Sequence, residues 1–273
     1  LAAKQRETGM MVHQTEDEIS AIHAALGGSF AGVRTACGTS GGGFALMNEG
    51  VSLTGMLELP LVLFEVQRPA PATGNPTWSD QGDLNYVVHA SHGEFPKVVI
   101  TPGTPEQCFD LVQHAFNLAD KYQTLVVVLT DKHLGESGFT LPEDAFRQIE
   151  DIDRGKIIVS HDLELREKEL FARYKLNKKG ISSRTIPGVK GGEYIANSDE
   201  HDEQGLSDES SEMRIAQMDK RIQKLVGIQS EISLPKIYGP KTADTTLVCW
   251  GSTLGACLDA MEIVNQKKSK KLI

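Results

Sequence analysis

The chain is short of cysteine, aromatic residues and positive charge, and each shortage removes a class of function. Its four cysteines, Cys37, Cys108, Cys249 and Cys257, are scattered, with no C-x-x-C pair and no histidine at zinc-ligand spacing. That argues against a disulfide framework and against a metal knot. Aromatic content is 6%, and Asp plus Glu outnumber Lys plus Arg 37 to 28, giving a formal charge of −9. Neither a base-stacking platform nor a nucleic-acid-binding surface suits that balance. No apolar run approaches the length of a membrane span and no signal peptide is recognisable, so a reducing, cytoplasmic setting is the default. There is no internal repeat, no G-x-G-x-x-G and no Gly-Lys-Ser/Thr phosphate loop.

What is present is an alternation of helix and strand. With 273 residues and 40% hydrophobic content, the chain can bury one large domain and part of another. Strands are expected at 35–39, 60–66, 97–101 and 125–130, and helices at 19–31, 44–56 and 105–122, the pattern of a mostly parallel α/β sheet. After about 137 the texture changes. The segments 141–152 and 162–179 carry few core positions, and seven acidic residues between Asp199 and Glu212 read as a solvated connector. A charged helix over 213–225, a buried strand over 245–250 and a helix over 254–264 follow. The division expected is a first domain over 1–175, a connector and helix over 176–235, and the start of a second α/β domain over 236–273. A first helix without a preceding strand, and a last helix ending in K-K-S-K-K-L-I (267–273), read as a fragment cut at both ends.

Four segments could carry chemistry. The loop Q-R-P-A-P-A-T-G-N-P-T (67–77) leaves the carboxyl end of an apolar strand, where open α/β sheets keep their ligand crevices. Arg68 offers a planar fork for a carboxylate or phosphate, and Thr73 and Thr77 can complete an anion's hydrogen bonds; the competing reading is a polar loop tying itself down. In Q-T-E-D-E (14–18), Thr15 and Glu18 have capping-box spacing, and Glu16 and Asp17 suit a helix first turn. A catalytic reading there needs a specific proton partner for one carboxylate. Thr39 and Ser40 open a Gly-rich turn, T-S-G-G-G, that could cradle an anion or serve only as a tight strand-to-helix turn. His89, Ser91, His92 and Glu94 could handle protons, though a satisfied polar loop is commoner. The run 199–203 cannot converge on one metal ion, because its residues are consecutive.

Taken together, these segments resemble the alpha subunit of 2-oxoacid:ferredoxin oxidoreductases, most closely the 2-oxoglutarate type. The resemblance rests on Q-T-E-D-E-I-S-A-I (14–22), T-S-G-G-G-F-A-L-M-N-E (39–49), the 67–77 loop, Q-G-D-L (81–84), H-G-E-F-P (92–96) and A-F-N-L-A (115–119). Further on it rests on R-T-I-P-G (184–188), D-E-H-D-E-Q-G (199–205), M-D-K-R (218–221) and W-G-S-T (250–253), all in family order. It implies a thiamine-diphosphate-binding pyrimidine domain, followed by the start of a transketolase C-terminal-like α/β domain. It also implies CoA-dependent oxidative decarboxylation of 2-oxoglutarate to succinyl-CoA with electrons to ferredoxin, or the reverse. Pyruvate or a branched-chain 2-oxoacid is the alternative substrate, and a non-catalytic structural subunit the alternative of another class.

By this resemblance Glu16 is the cofactor-activating glutamate, hydrogen bonded to N1′ of the aminopyrimidine so that the neighbouring nitrogen can act as a base. Arg68 holds the substrate carboxylate with Thr73 and Thr77, while Thr39, Ser40 and His92 are cofactor-side candidates. A beta subunit would bring the diphosphate and Mg²⁺ site, and iron–sulfur clusters would lie on partner chains, since four isolated cysteines do not make a Cys₄ set. No metal site is expected in this chain. Three positions depart from the family pattern: Gly42 stands where T-S-G-P-G-F has proline, and Ala70 and Ala72 stand at the glycine and serine of R-x-G-P-S-T. The family's upstream Y-P-I-T-P segment is not in the sequence, in line with truncation.

Overall fold

A computed structural model describes residues 1–146, 149–159, 163 and 170–266. After a 3₁₀ turn the chain forms α1 (Gln5–Thr8), α2 (Glu18–Phe30), β1 (Ala36–Thr39), α3 (Gly41–Leu46), α4 (Asn48–Leu57) and β2 (Leu61–Gln67). Then come α5 (Leu84–His89), β3 (Lys97–Ile100), α6 (Pro105–Tyr122), β4 (Leu125–Asp131), α7 (Lys132–Glu136) and a small pair, β5 (Ile157–Ile158) with β6 (Arg184–Thr185). Two longer helices, α8 (Ser211–Glu231) and α9 (Thr253–Gln266), complete the described chain. The four main strands run in the order β1-β2-β4-β3 and every pairing is parallel. The expected α/β class with a parallel sheet is therefore what forms.

Apolar residues on both faces of the central strands explain the layering. Leu61, Leu63, Leu125, Val127 and Leu129 face one side, against Ile22, Leu26, Phe44, Met47 and Val51 of α2 to α4. Val62, Val126 and Val128 face the other, against Ala115, Leu118 and Tyr122 of α6 and Ile228 of α8. Small residues set the spacing: a methyl on Gly50 would meet Ile22 Cγ2 at 2.6 Å, so α4 lies close on α2 only because position 50 has no side chain. α6 starts where the sequence signals it should, with Thr104 accepting from Gln107 N and Pro105 in the first turn.

Four expectations change. Asp17, not Thr15, caps α2, accepting from Ser20 N at 2.7 Å while Thr15 Oγ1 donates to Asp17 O. A carboxylate in the cap position outcompetes the T-x-x-E box one turn earlier. Residues 246–250 form no ladder with the described residues, and Val248 is 93% exposed. The run after 170 does carry core: Arg173 and Tyr174 are fully buried. The acidic segment is solvated only in part, with Asp199, Glu209 and Glu212 exposed. Glu200 is ion paired with Arg214 and Arg221, and the buried His201 ring lies 4.0 Å from the Tyr174 ring. Opposite charge supplied by α8 is what allows that acidic run to pack, and no window of the segment itself reveals it. The K-K-S-K-K-L-I end and most of 160–169 lie outside the described residues.

Candidate active site at the carboxyl edge of the sheet

Parallel strands bring their carboxyl ends to one edge, and the chain places its chemistry-bearing loops there. β1 ends at Thr39, β2 passes into Arg68 and β4 ends at Asp131. Because α2 precedes β1 and runs antiparallel to it, its first residue returns to the same edge. Glu18 is that residue, half-buried, with its carboxylate beside Gly43. A methyl at Gly43 would sit 2.7 Å from Glu18 Oε1 and would also collide with Thr39 Oγ1. The missing side chain at Gly43 thus leaves a notch on α3 that the Glu18 carboxylate and the Thr39 hydroxyl fill.

Glu16 is solvent-exposed, one residue ahead of the Asp17 cap, and lies outside that notch. The carboxylate packed against Gly43 is two residues further on, at Glu18, a residue whose spacing from Thr15 suits a capping box. Ser40 caps α3 by backbone position with no side-chain capping bond, and Asp83 Oδ2 would be 3.1 Å from a methyl on Gly41. The Gly-rich turn therefore meets a carboxyl group at its start.

Arg68 is half-buried, and its Nε is buried without an acceptor. Thr73 and Thr77 lie in an exposed stretch, with the turn closed by Asn75 N donating to Pro69 O and Trp78 N to Asn75 O. Ala72 has a φ of +53°, and its carbonyl would be 3.8 Å from a methyl at Gly42. Two of the three departures from the family pattern thus meet across the mouth of the site.

His92 does not join the group. It lines a cavity of about 320 Å³ with Glu49, Ser52, Met56, Arg214 and Arg221, to which Glu18, Thr39 and Arg68 contribute nothing. His89 is bonded to Asn85 O on its own helix and Ser91 to Gly93 O, the satisfied-loop alternative. No cluster of metal-ligating side chains is formed among the described residues.

Two acids that the sequence did not single out as functional lie at the carboxyl end of β2, near enough to Arg68 to feel its charge. Glu65 on β2 is completely buried, and no N–H, hydroxyl or cationic donor reaches either carboxylate oxygen. Asp83, just before α5, is nearly buried, with its N–H donating to Gln67 Oε1 and its Oδ2 without a donor. Burial, then the Asp83 charge and the hydrogen bond between the two carboxyls, push Glu65 up to about 8, against a smaller opposing pull from Arg68. Asp83 is also raised, first by burial. A lone acid inside the apolar run 59–66 was the available signal.

A family model described as pyruvate flavodoxin/ferredoxin oxidoreductase, thiamine diphosphate-binding, matches residues 1–220. The chain belongs to this family. It is 38% identical over 99% of its length to a 2-oxoacid:ferredoxin oxidoreductase alpha subunit of Saccharolobus solfataricus. Over half its length it is 42% identical to a 2-oxoglutarate synthase subunit KorA of Methanothermobacter marburgensis. Among solved structures it is similar to a 2-oxoglutarate:ferredoxin oxidoreductase from Magnetococcus marinus with 2-oxoglutarate, coenzyme A and succinyl-CoA bound, with TM-score 0.83, 30% identity and 99% of this chain covered. The chain spans 42% of the Saccharolobus subunit and 46% of the Magnetococcus chain. Among the described residues no helix is long and apolar enough to cross a membrane.

Proposed function

We propose that this chain is the pyrimidine-binding part of the alpha subunit of a 2-oxoglutarate:ferredoxin oxidoreductase, working with a beta subunit in CoA-dependent oxidative decarboxylation or its reversal. The observation that carries the reading is the Glu18–Gly43–Thr39 notch at the carboxyl edge of a sheet whose family binds thiamine diphosphate. The donor set fits an aminopyrimidine: Glu18 offers the carboxylate that a ring nitrogen needs, and Thr39 places a hydroxyl against the same glycine. When bound, the cofactor supplies the carbon nucleophile and electron sink for decarboxylation.

Glu18, rather than Glu16, holds the proton at the ring nitrogen in this reading, and Thr39 lines the same notch. Arg68 receives the substrate carboxylate, and Thr73 and Thr77 stand in the exposed loop above it, free to close over an anion. Mg²⁺ and the iron–sulfur clusters belong on partner chains, in keeping with four free and dispersed cysteines in this one. Those free thiols also suit a cytoplasmic setting. In this reading 1–175 is the pyrimidine domain, 176–235 an acidic, Gly-rich connector and helix, and 236–273 the start of a transketolase C-terminal-like unit. Pyruvate stays as a second substrate reading, because one arginine recognises only the carboxylate that all 2-oxoacids share.

The test is reconstitution of the full-length alpha subunit with its beta partner, assayed with 2-oxoglutarate and with pyruvate. Glu18→Gln should lower turnover by about 10²–10⁴-fold, the range for a lost proton-transfer group, and Glu16→Gln should stay close to the parent. The opposite order would return the role to Glu16, and no turnover with either acid would overturn the reading.

A further inference from the structure

Glu65 and Asp83 lie at the end of β2 that passes into Arg68, the arginine that the proposed function assigns to substrate, and this inference rests on that reading; Asp83 N donates to Gln67 Oε1, two residues along the strand from Glu65. Glu65 has no contact with water and no donor to either oxygen. Two buried ionised carboxylates side by side with no donors are strongly disfavoured. A single proton between them resolves the conflict, with one carboxyl donating to the other. The guanidinium above lacks an acceptor at Nε, so it too answers to the net charge of the pair.

We propose that Glu65 and Asp83 are positioning residues that share one proton, and that the single negative charge left on the pair sets Arg68 for a substrate carboxylate. An incoming 2-oxoacid brings another negative charge to the same few ångströms. With the proton in place, Arg68 faces one buried negative charge and one from the substrate; without it, there are two buried charges before the substrate arrives. Substrate binding is thereby linked to proton retention by the pair.

The other groups facing this pair are few. From the loop before α5, Asp80 raises Asp83 further, while Arg68 opposes the rise; on α5, Asp83 pushes the Tyr86 phenol up. From β4, Asp131 stands in register with Gln67, but Gln81, Ser252 and Leu134 N already donate to it. β1 offers Thr39 opposite Glu65, and α3 carries no titratable side chain. Burial with Asp83 as neighbour places the Glu65 titration near pH 8, so the linkage falls in a range that assays reach.

The experiment uses the full-length alpha–beta complex with 2-oxoglutarate and pyruvate as probes. In the parent enzyme KM should climb above about pH 8, approaching tenfold per pH unit as single-proton linkage requires, while kcat changes much less. In Glu65→Gln, which keeps the shape and cannot titrate, that climb should vanish. An unchanged KM profile in Glu65→Gln, or a parallel fall of kcat in the parent, overturns the proposal. Infrared spectra give a readout independent of turnover. A protonated-carboxyl C=O band should persist at pH 7 in the parent and be lost in Glu65→Gln, or in Asp83→Asn should the first variant not fold. Absence of the band in the parent overturns the shared proton. An enzyme that turns over neither acid but keeps the band refutes the assigned reaction and leaves the shared proton supported.

Discussion

Glu58 and Glu65 lie at opposite ends of β2 and are both buried, yet their surroundings are opposite. Glu58, at the amino end with a φ of +50°, is ion paired with Lys220 at 2.5 Å and Lys224 at 2.6 Å. Arg173, with its guanidinium bonded to the Glu58 carbonyl at 2.7 Å, adds a third positive charge. Burial alone would raise the Glu58 carboxyl; the two lysines and the arginine outweigh it and hold it far below the usual range. Glu65, at the carboxyl end, has a second acid for a neighbour and no donor, and rises instead. The amino edge thus gathers three cations around one carboxylate, which fastens α8 to the sheet, although Arg173 Nε and Nη1 find no acceptor there. The carboxyl edge leaves Arg68, Asp83 and Glu65 incompletely satisfied, and unsatisfied polar groups in a native fold are where function is to be sought.

The sharpest way to break this contrast is Glu58→Gln, which strands two buried ammonium groups. It should cost about 3–5 kcal/mol of stability, as removing one partner of a buried pair does. Denaturant unfolding checks that, and a loss below about 1 kcal/mol would show the network to be no better than a surface pair. Next comes Gly43→Ala. Its methyl collides with the Glu18 and Thr39 side chains, so the fold should lose about 1–3 kcal/mol, the usual cost of overpacking, and thiamine-diphosphate affinity should fall with the displacement of those two groups. Equal cofactor titrations for the two proteins would remove the notch from the site.

The smallest effect is one of pH, and the two acids give it opposite signs. The folded-state value of Glu58 is depressed, so its contribution is present above about pH 4.5 and lost as pH falls below it. The folded-state value of Glu65 is raised, so its contribution is present below about 4.5 and lost as pH rises through about 8. Melting temperature against pH should therefore lose its acid-side slope in Glu58→Gln and flatten between about 5 and 8 in Glu65→Gln. Identical curves for the two variants would erase the distinction between the two edges.

Much of the framework was legible beforehand because its signals are local. The apolar runs at 60–66 and 125–130, the Thr104-Pro105 start of α6 and the Ala- and Gly-rich helix after residue 18 each carry their own cause. The site was legible in part: the 67–77 loop was located by its position after a strand, and Arg68 stands there half-buried. Glu16 is marked by the family resemblance, while the helix cap, which spacing puts at Thr15, forms at Asp17 because capping depends on the backbone at 15–17. His92 stands with the cofactor-side candidates by resemblance, whereas its loop faces α4 and α8. The acidic run around 200 looked solvated because its counter-charges, Arg214 and Arg221, come from a helix that follows it in sequence.

By itself the sequence determined the order of strands and helices, the parallel class and the family motifs, since hydrophobic period, turn residues and spacing are properties of neighbouring positions. Tertiary structure decided which carboxylates meet what. Glu58 meets lysines some 160 residues away, Glu65 meets Asp83, and Glu18 meets Thr39 across a glycine. A carboxyl group's charge depends on distance and burial in three dimensions, and neither is written in the adjacent residues.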